Sequence, residues 1–158
     1  MYQIKEKAFS FTNQFSIMDE RKREVFFVKE QAFSLSKKLV FQDASGREIL
    51  WIHQKRLSWL TCFHILRGKK IAAKITKRMS WFKPVFDLSI PGRGDVKIKG
   101  NFIAHEFEFL SGSRLLARVS KKRWSWTDTY GVDISKGEDE PLFLAACVVI
   151  DQVLHDEN

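Results

Sequence analysis

Apolar and polar residues alternate along most of this chain with the two-residue period of half-buried strands. The alternation marks short segments through Phe11, Phe15 and Ile17, then Val25–Val28, Leu39–Phe41, Ile49–Ile52, Lys70–Thr76, Phe86–Leu88, Val96–Lys99, Phe107–Phe109 and Leu115–Ser120. Turn-forming residues separate them: Asp19-Glu20-Arg21, Asp43-Ala44-Ser45-Gly46, Arg67-Gly68-Lys69, Pro91-Gly92-Arg93-Gly94, Gly100-Asn101 and Ser111-Gly112-Ser113. A strand every 8–12 residues or so, without intervening helical periods, predicts an antiparallel sandwich or barrel. The body is all-β.

The C-terminus breaks the pattern. Glu138-Asp139-Glu140-Pro141 reads as a helix start, with acids near the positive end of the dipole and proline at the first helical position. Leu142 through Ile150 is then apolar on every side. Such a helix is either in a membrane or enclosed by protein. Residues 141–155 span about 22 Å at 1.5 Å per residue, short of the ~30 Å hydrocarbon thickness, and include Asp151 and Gln152. The strands therefore have to wrap the helix, which requires a barrel wider than the eight-stranded kind that side chains alone can fill.

An internal repeat supports a regular barrel. Residues 65–78 align without gaps to 109–122 at an offset of 44, with Leu66/Leu110, Gly68/Gly112, Ala73/Ala117 and Lys77/Lys121 identical. Each copy reads as an apolar strand, a glycine turn, and a strand with small apolar residues (Ile71, Ala73, Ile75; Leu115, Ala117, Val119) inward. Gly46 and Ile49 suggest a fainter third copy.

Composition sharpens the picture in two ways. Fourteen Phe and five Trp among 158 residues exclude disorder. The net charge of +8 hides a segregation. Residues 1–136 hold all 27 bases and 13 acids, a net of +14; residues 137–158 hold six acids and no Lys or Arg, a net of −6. Cys62 and Cys147 are too few for a disulfide framework, and the charged start Lys5-Glu6-Lys7 is unlike an export signal. Both point to a cytoplasmic protein, with a peripheral membrane association compatible with its charge.

Lys5-x-Lys7-x-Phe9-Ser10-Phe11, Phe15-x-Ile17-x-Asp19-Glu20, Val25-Phe26-x-Val28, Phe33-Ser34-Leu35 and Phe41-Gln42-Asp43-x-x-Gly46-x-Glu48 together resemble bacterial members of the LURP-one-related family. That family belongs to the tubby C-terminal-like superfamily, with the phospholipid scramblases as relatives. The resemblance covers essentially the whole chain, 1–158, as one domain. It implies a twelve-stranded, mostly antiparallel closed barrel around a central helix at 141–155. It also implies membrane associations, since tubby domains bind phosphoinositides and scramblases act at membranes with calcium. The tubby lipid-binding residues match no motif here, and Asp133 to Glu140 lacks the acid-x-acid-x-acid-Gly order of a calcium loop.

The best candidate chemistry lies on the repeated strands. Residues two apart share a strand face, so Lys70, Lys74 and Arg78 form one expected outward row, and Arg114, Arg118 and Lys122 another. Residues 67–83 carry seven bases and no acid. Such rows suit phosphate oxygens; as a bland alternative they solvate the wall and discourage edge pairing. Trp81-Phe82 and the run Arg123-Trp124-Ser125-Trp126-Thr127-Asp128-Thr129-Tyr130 adjoin them, as packing residues or as stacking platforms. His53, His64, His105 and His155 show no two-plus-two zinc spacing, so no metal or cofactor is expected. Glu106 and Glu108 share a face, Arg93-Gly94-Asp95 reads as turn chemistry, and Cys147 as a buried small apolar residue. No nucleophile elbow, phosphate loop or dinucleotide fingerprint occurs. The expectation is a non-enzymatic barrel that binds anionic phospholipid headgroups. The alternatives are a protein-interaction scaffold and a nucleic-acid-binding module.

Overall fold

The computed structural model describes residues 1–7, 14–31, 36–57, 60–79, 83–121 and 129–155. The strands of the first half are β1 (Tyr2–Lys7), β2 (Gln14–Met18), β3 (Glu24–Glu30), β4 (Lys38–Asp43), β5 (Glu48–Leu57) and β6 (Leu60–Arg67). Those of the second half are β7 (Lys70–Met79), β8 (Pro84–Ile90), β9 (Gly94–Asn101), β10 (Glu106–Ser111), β11 (Arg114–Ser120) and β12 (Thr129–Ile134). Each strand pairs antiparallel with its sequence neighbours, and β1 pairs with β12, so the twelve strands close into a barrel. The wall thus has no free edge. β1 and β12 are not separate elements in the sequence pattern, and β6 enters it only as the apolar strand that opens the first repeat copy at Ile65. Phe11, which was expected in β2, lies outside the described residues.

Helix α1 (Glu140–His155) runs through this barrel. It begins one residue before Pro141, with Asp139 as its cap: the Asp139 carboxylate accepts from Leu142 N at 3.2 Å and its carbonyl from Phe143 N at 3.1 Å. Leu142 through Ile150 are at most 3% exposed, which is what an all-round apolar helix requires. The helix lies nearest β5–β7 and β12. Toward β8–β10 a chain of rings fills the space: Phe86–Phe102, Phe102–Phe107, Phe107–Phe109 and Phe109–Phe143, with centroids 4.9–5.8 Å apart. These phenylalanines make up for the distance between an off-centre helix and the far wall.

The repeat proves to be a shared irregularity as well as a shared hairpin. Gly68 and Gly112 have φ of 59° and 60° at the first central position of two-residue turns, the type II′ arrangement. Beyond each turn the register slips at the same place. Ile65 pairs with Ala73 but Leu66 with Ile71; Phe109 pairs with Ala117 but Leu110 with Leu115. Ala72 and Leu116 are therefore inserted bulge residues. This corrects the expected facing: Leu116, fully buried, occupies the interior position assigned to Leu115, and Leu115 and Ile71 are only half-buried. Gly46 does not begin a third copy. Its hairpin instead matches Asp19–Arg23, 24 residues earlier. In both, the first aspartate accepts from two backbone N–H groups and binds the arginine four residues on.

One glycine is fixed by close approach. Gly100 has φ of 142°, and a Cβ there would lie 2.2 Å from the Glu106 carbonyl oxygen and 2.5 Å from Phe107 Cα, both backbone atoms. Gly100→Ala is expected to cost about 2–3 kcal/mol through strain and overpacking, read as a lower urea midpoint. Gly68→Ala, with open space around it, should cost about 1 kcal/mol from φ alone.

Candidate anion-binding faces of the barrel wall

The bulges decide which bases share a face. Inserting one residue shifts the strand phase, so Lys70 and Arg114, next to the turns, belong to the barrel rim. Lys74, Arg78 and Arg118, past the bulges, stand on the outer wall. All five are exposed; Lys122, Trp81-Phe82 and residues 123–128 of the aromatic run lie outside the described residues, while the run's last two residues, Thr129 and Tyr130, are buried on β12. β7 and β11 are separated by β8, β9 and β10, so the two expected rows do not adjoin.

Carboxylates hold all three arginines. Arg78 Nε donates to Asp87 at 2.5 Å on the neighbouring strand. Arg118 donates to Glu108 at 2.7–2.8 Å. Cross-strand register continues this pair into an alternating row of Lys99, Glu108, Arg118 and Asp133. Arg114 leans over the rim to Glu138, 2.7 Å away. Glu138, with a side chain only 1% exposed, also takes both guanidinium nitrogens of Arg93. Those hydrogen bonds hold the Glu138 carboxyl below its ordinary pKa in spite of burial. Beside it Arg67 forks onto Asp139 at 2.8 and 3.0 Å, and Tyr2 Oη donates to Glu140 at 2.6 Å. The acidic segment before the helix is thus bolted to the hairpin tips of the basic body. Arg93, the first residue of the Arg93-Gly94-Asp95 turn sequence, is committed to this lock.

The least neutralised face lies elsewhere, across β4–β7. Register places Lys38, His53, His64 and Lys74 side by side, one per strand. Lys55 shares this face two residues beyond His53, and in the direction of β9 the first carboxylate along the row is Asp95. No carboxylate among the described residues pairs with Lys38, Lys55, Lys70 or Lys74. Burial first, then Lys38 and Lys55, hold the His53 pKa below its ordinary value; burial, then Lys74 and Lys55, do the same for His64. One step toward the helix-start end runs a parallel row of Val40, Trp51, Leu66 and Ile71, half-buried except for the more covered Val40. Trp51 meets the His53 ring edge-on at 6.0 Å and donates to Glu48 at 3.1 Å. Sequence reasoning missed Lys38, His53, His64 and Lys55 because they come from three strands, related only through register.

A second assembly missed in the sequence closes the opposite end of the barrel. His105 Nε2 and Asp151 Oδ1 are 2.6 Å apart, and Glu6 and His155 stand beside them. Asp151 and His155 stand four apart on the helix, but positions 6 and 105 carry no spacing signal that relates them to this pair. Only the strand count and the helix rotation bring them together.

A closed twelve-stranded antiparallel barrel with a hydrophobic helix through it defines the class to which this protein belongs. The sequence profile of the LURP-one-related family matches residues 1–151, and the chain belongs to that family. It is 34% identical over 155 residues to the uncharacterized protein YxjI of Bacillus subtilis (strain 168), covering 98% of this chain and 94% of that one. A solved X-ray structure of an Arabidopsis thaliana protein shares the fold, with a TM-score of 0.71 at 20% identity over 96% of this chain and 90% of that one.

Proposed function

We propose that this barrel is a non-enzymatic module that binds anionic phospholipid surfaces through the β4–β7 face. One observation carries the reading: Lys38, His53, His64 and Lys74 form a cross-strand row free of carboxylates, beside the half-buried Trp51, Leu66 and Ile71. Cations with adjacent amphipathic and apolar side chains suit the headgroup region. In this reading Lys74 makes the anion contact, and Lys70 adds a cation at the rim. Arg78, Arg114 and Arg118 are less suited, since each would first have to give up a carboxylate. Among the described residues no helix is long and apolar enough to cross a membrane, and a peripheral contact needs none.

Each lysine near an anionic surface contributes about 1 kcal/mol. Reversing Lys38, Lys55 and Lys74 to Glu together is expected to weaken co-sedimentation with phosphatidylglycerol vesicles by at least about a hundredfold. Arg118→Glu should matter far less. A nearby anionic surface favours protonated histidine, so binding should strengthen as pH falls from 7 toward 5, and His53→Gln/His64→Gln should flatten that rise. Binding that ignores lipid charge, or survives the triple reversal, refutes the assignment. Retention of oligonucleotides with a steep salt dependence, or of a protein with no vesicle affinity, would support the nucleic-acid or scaffold alternative instead.

A further inference from the structure

Asp151 is a carboxylate in an unusual place: 4% exposed, on the last turns of a helix whose preceding nine residues are all apolar. Its Oδ1 is bonded to His105 Nε2 at 2.6 Å. His105 is positioned at some conformational cost. It closes the 102–105 turn with φ of 50°, its N–H bonded to the Phe102 carbonyl, and its ring stacks on Tyr130 at 4.7 Å. One helical turn beyond Asp151, His155 presents Nε2 4.0 Å from the same Oδ1 and 3.4 Å from Glu6 Oε2 on β1. The donor atoms of Glu6, Asp151 and His155 all lie within 4.8 Å of one another.

We propose that Glu6, Asp151 and His155 form a binding site for a divalent cation of the zinc class at the helix-end mouth of the barrel. Ligand atoms on a tetrahedral zinc stand about 3.3 Å apart, given bonds of about 2.0–2.1 Å. The Glu6–His155 separation of 3.4 Å meets that already, and a small rotation of the carboxylates closes the remaining edges. Asp151 and His155, four apart on one helix, supply a rigid pair of donors from adjacent turns. His105 on Asp151 completes the arrangement in which an outer imidazole orients a ligating carboxylate. One imidazole with two carboxylates favours a first-row cation over calcium, which takes six to eight oxygens.

A second observation points the same way. Tyr130 is 4% exposed, and its hydroxyl finds no hydrogen-bond partner among the described residues. Buried hydroxyls normally have one. Tyr130 lies under the His105 ring, where burial first, then Asp151, Cys147 and Glu6 in that order, raise its pKa. A buried hydroxyl with no partner among the described residues, stacked on the histidine that holds Asp151, fits a site that takes up a ligand. His155 is 57% exposed, so a cation can enter from solvent and keep a water on its open side.

The test uses the full chain freed of metal with a chelator and titrated with zinc chloride in a calorimeter, with thermal melting alongside. One equivalent should bind with micromolar or tighter affinity, and 100 μM zinc should raise the melting temperature through linkage. Glu6→Gln and His155→Gln, both at the open side of the cluster, should each weaken binding at least about tenfold, and His105→Gln should do so through Asp151 by about the same factor. The His53→Gln/His64→Gln variant is the control for the other histidine pair and should bind zinc as the unaltered chain does. Absence of binding with no shift in melting overturns the site. So does binding that survives Glu6→Gln and His155→Gln together, or is lost with His53 and His64.

Discussion

Ala146→Asp is expected to cost at least about 4 kcal/mol of folding stability, most of the margin of an ordinary domain. Ala146 is fully buried midway along α1, between Ala145 and Cys147, which are also inside the barrel. Its surroundings are apolar on every side: Cys147, next in sequence, has its thiol pKa pushed far up, primarily by burial. An aspartate there must be protonated or stay charged without a partner. Raising its pKa from about 3.9 past 7 costs about 1.4 kcal/mol per unit, or about 4 kcal/mol in all; remaining charged costs more. The measurement is a urea titration followed by circular dichroism. Ser89→Asp, on the outer wall, is the control and should shift stability by less than about 0.5 kcal/mol. An Ala146→Asp midpoint equal to that of the unaltered chain would mean that the helix is not enclosed.

That prediction rests on the part of the structure most legible in the sequence. An all-round apolar segment too short to span a bilayer has only one other destination, and alternation on the preceding strands supplied a wall to receive it. The number of strands was not legible from patterning. β1 and β12 were missed as elements, β6 showed only as the strand opening the first repeat copy, and twelve came from the family resemblance. Facing was legible only as far as the alternation stayed in phase. A bulge adds one residue without changing composition, so Lys70 and Arg114 seemed to share a face with Lys74 and Arg118 until the slips at Leu66 and Leu110 were placed.

The pairing of charges was hidden for a related reason. Arg118–Glu108 is separated by 10 residues, Arg93–Glu138 by 45 and Arg67–Asp139 by 72. In a meander barrel the first follows from one hairpin, whereas the other two depend on where a helix start falls against the rim. The Lys38–His53–His64–Lys74 row needs three correct registers at once. What the chain did display was the imbalance of a +14 body and a −6 terminal segment. The structure gives it a use: three consecutive acids meet Arg67, Arg93, Arg114 and Tyr2 where the helix enters. The β4–β7 face, by contrast, carries Lys38, Lys55 and Lys74, which have no carboxylate partner among the described residues.

Glu138→Ala should have the second largest effect, a loss of about 3 kcal/mol. The buried carboxylate joins two guanidinium groups from separate hairpin tips, Arg93 in the 91–93 turn and Arg114 at the start of β11. Removing it leaves two cations converging near the positive end of the helix dipole. Breaking a buried pair in this way costs about 3–5 kcal/mol; the lower end applies because the Arg114 side chain is 62% exposed and can return to water. The acid dependence follows with a definite sign. Glu138 is held below the ordinary glutamate value in the folded state, mainly by the Arg93 hydrogen bonds. Its stabilisation is therefore complete above the unfolded value near about 4.3 and is lost as pH falls through the lower folded value. Urea midpoints measured from pH 7 downward should drop in the unaltered chain across that interval, and less steeply in Glu138→Ala. Arg118→Ala breaks only the exposed pair with Glu108, worth less than about 1 kcal/mol, and should keep the acid dependence intact. If Glu138→Ala and the unaltered chain unfold at the same urea concentration at pH 7 and follow the same acid profile, the rim pairs do not hold the helix in the barrel. Its enclosure would then depend on apolar burial alone.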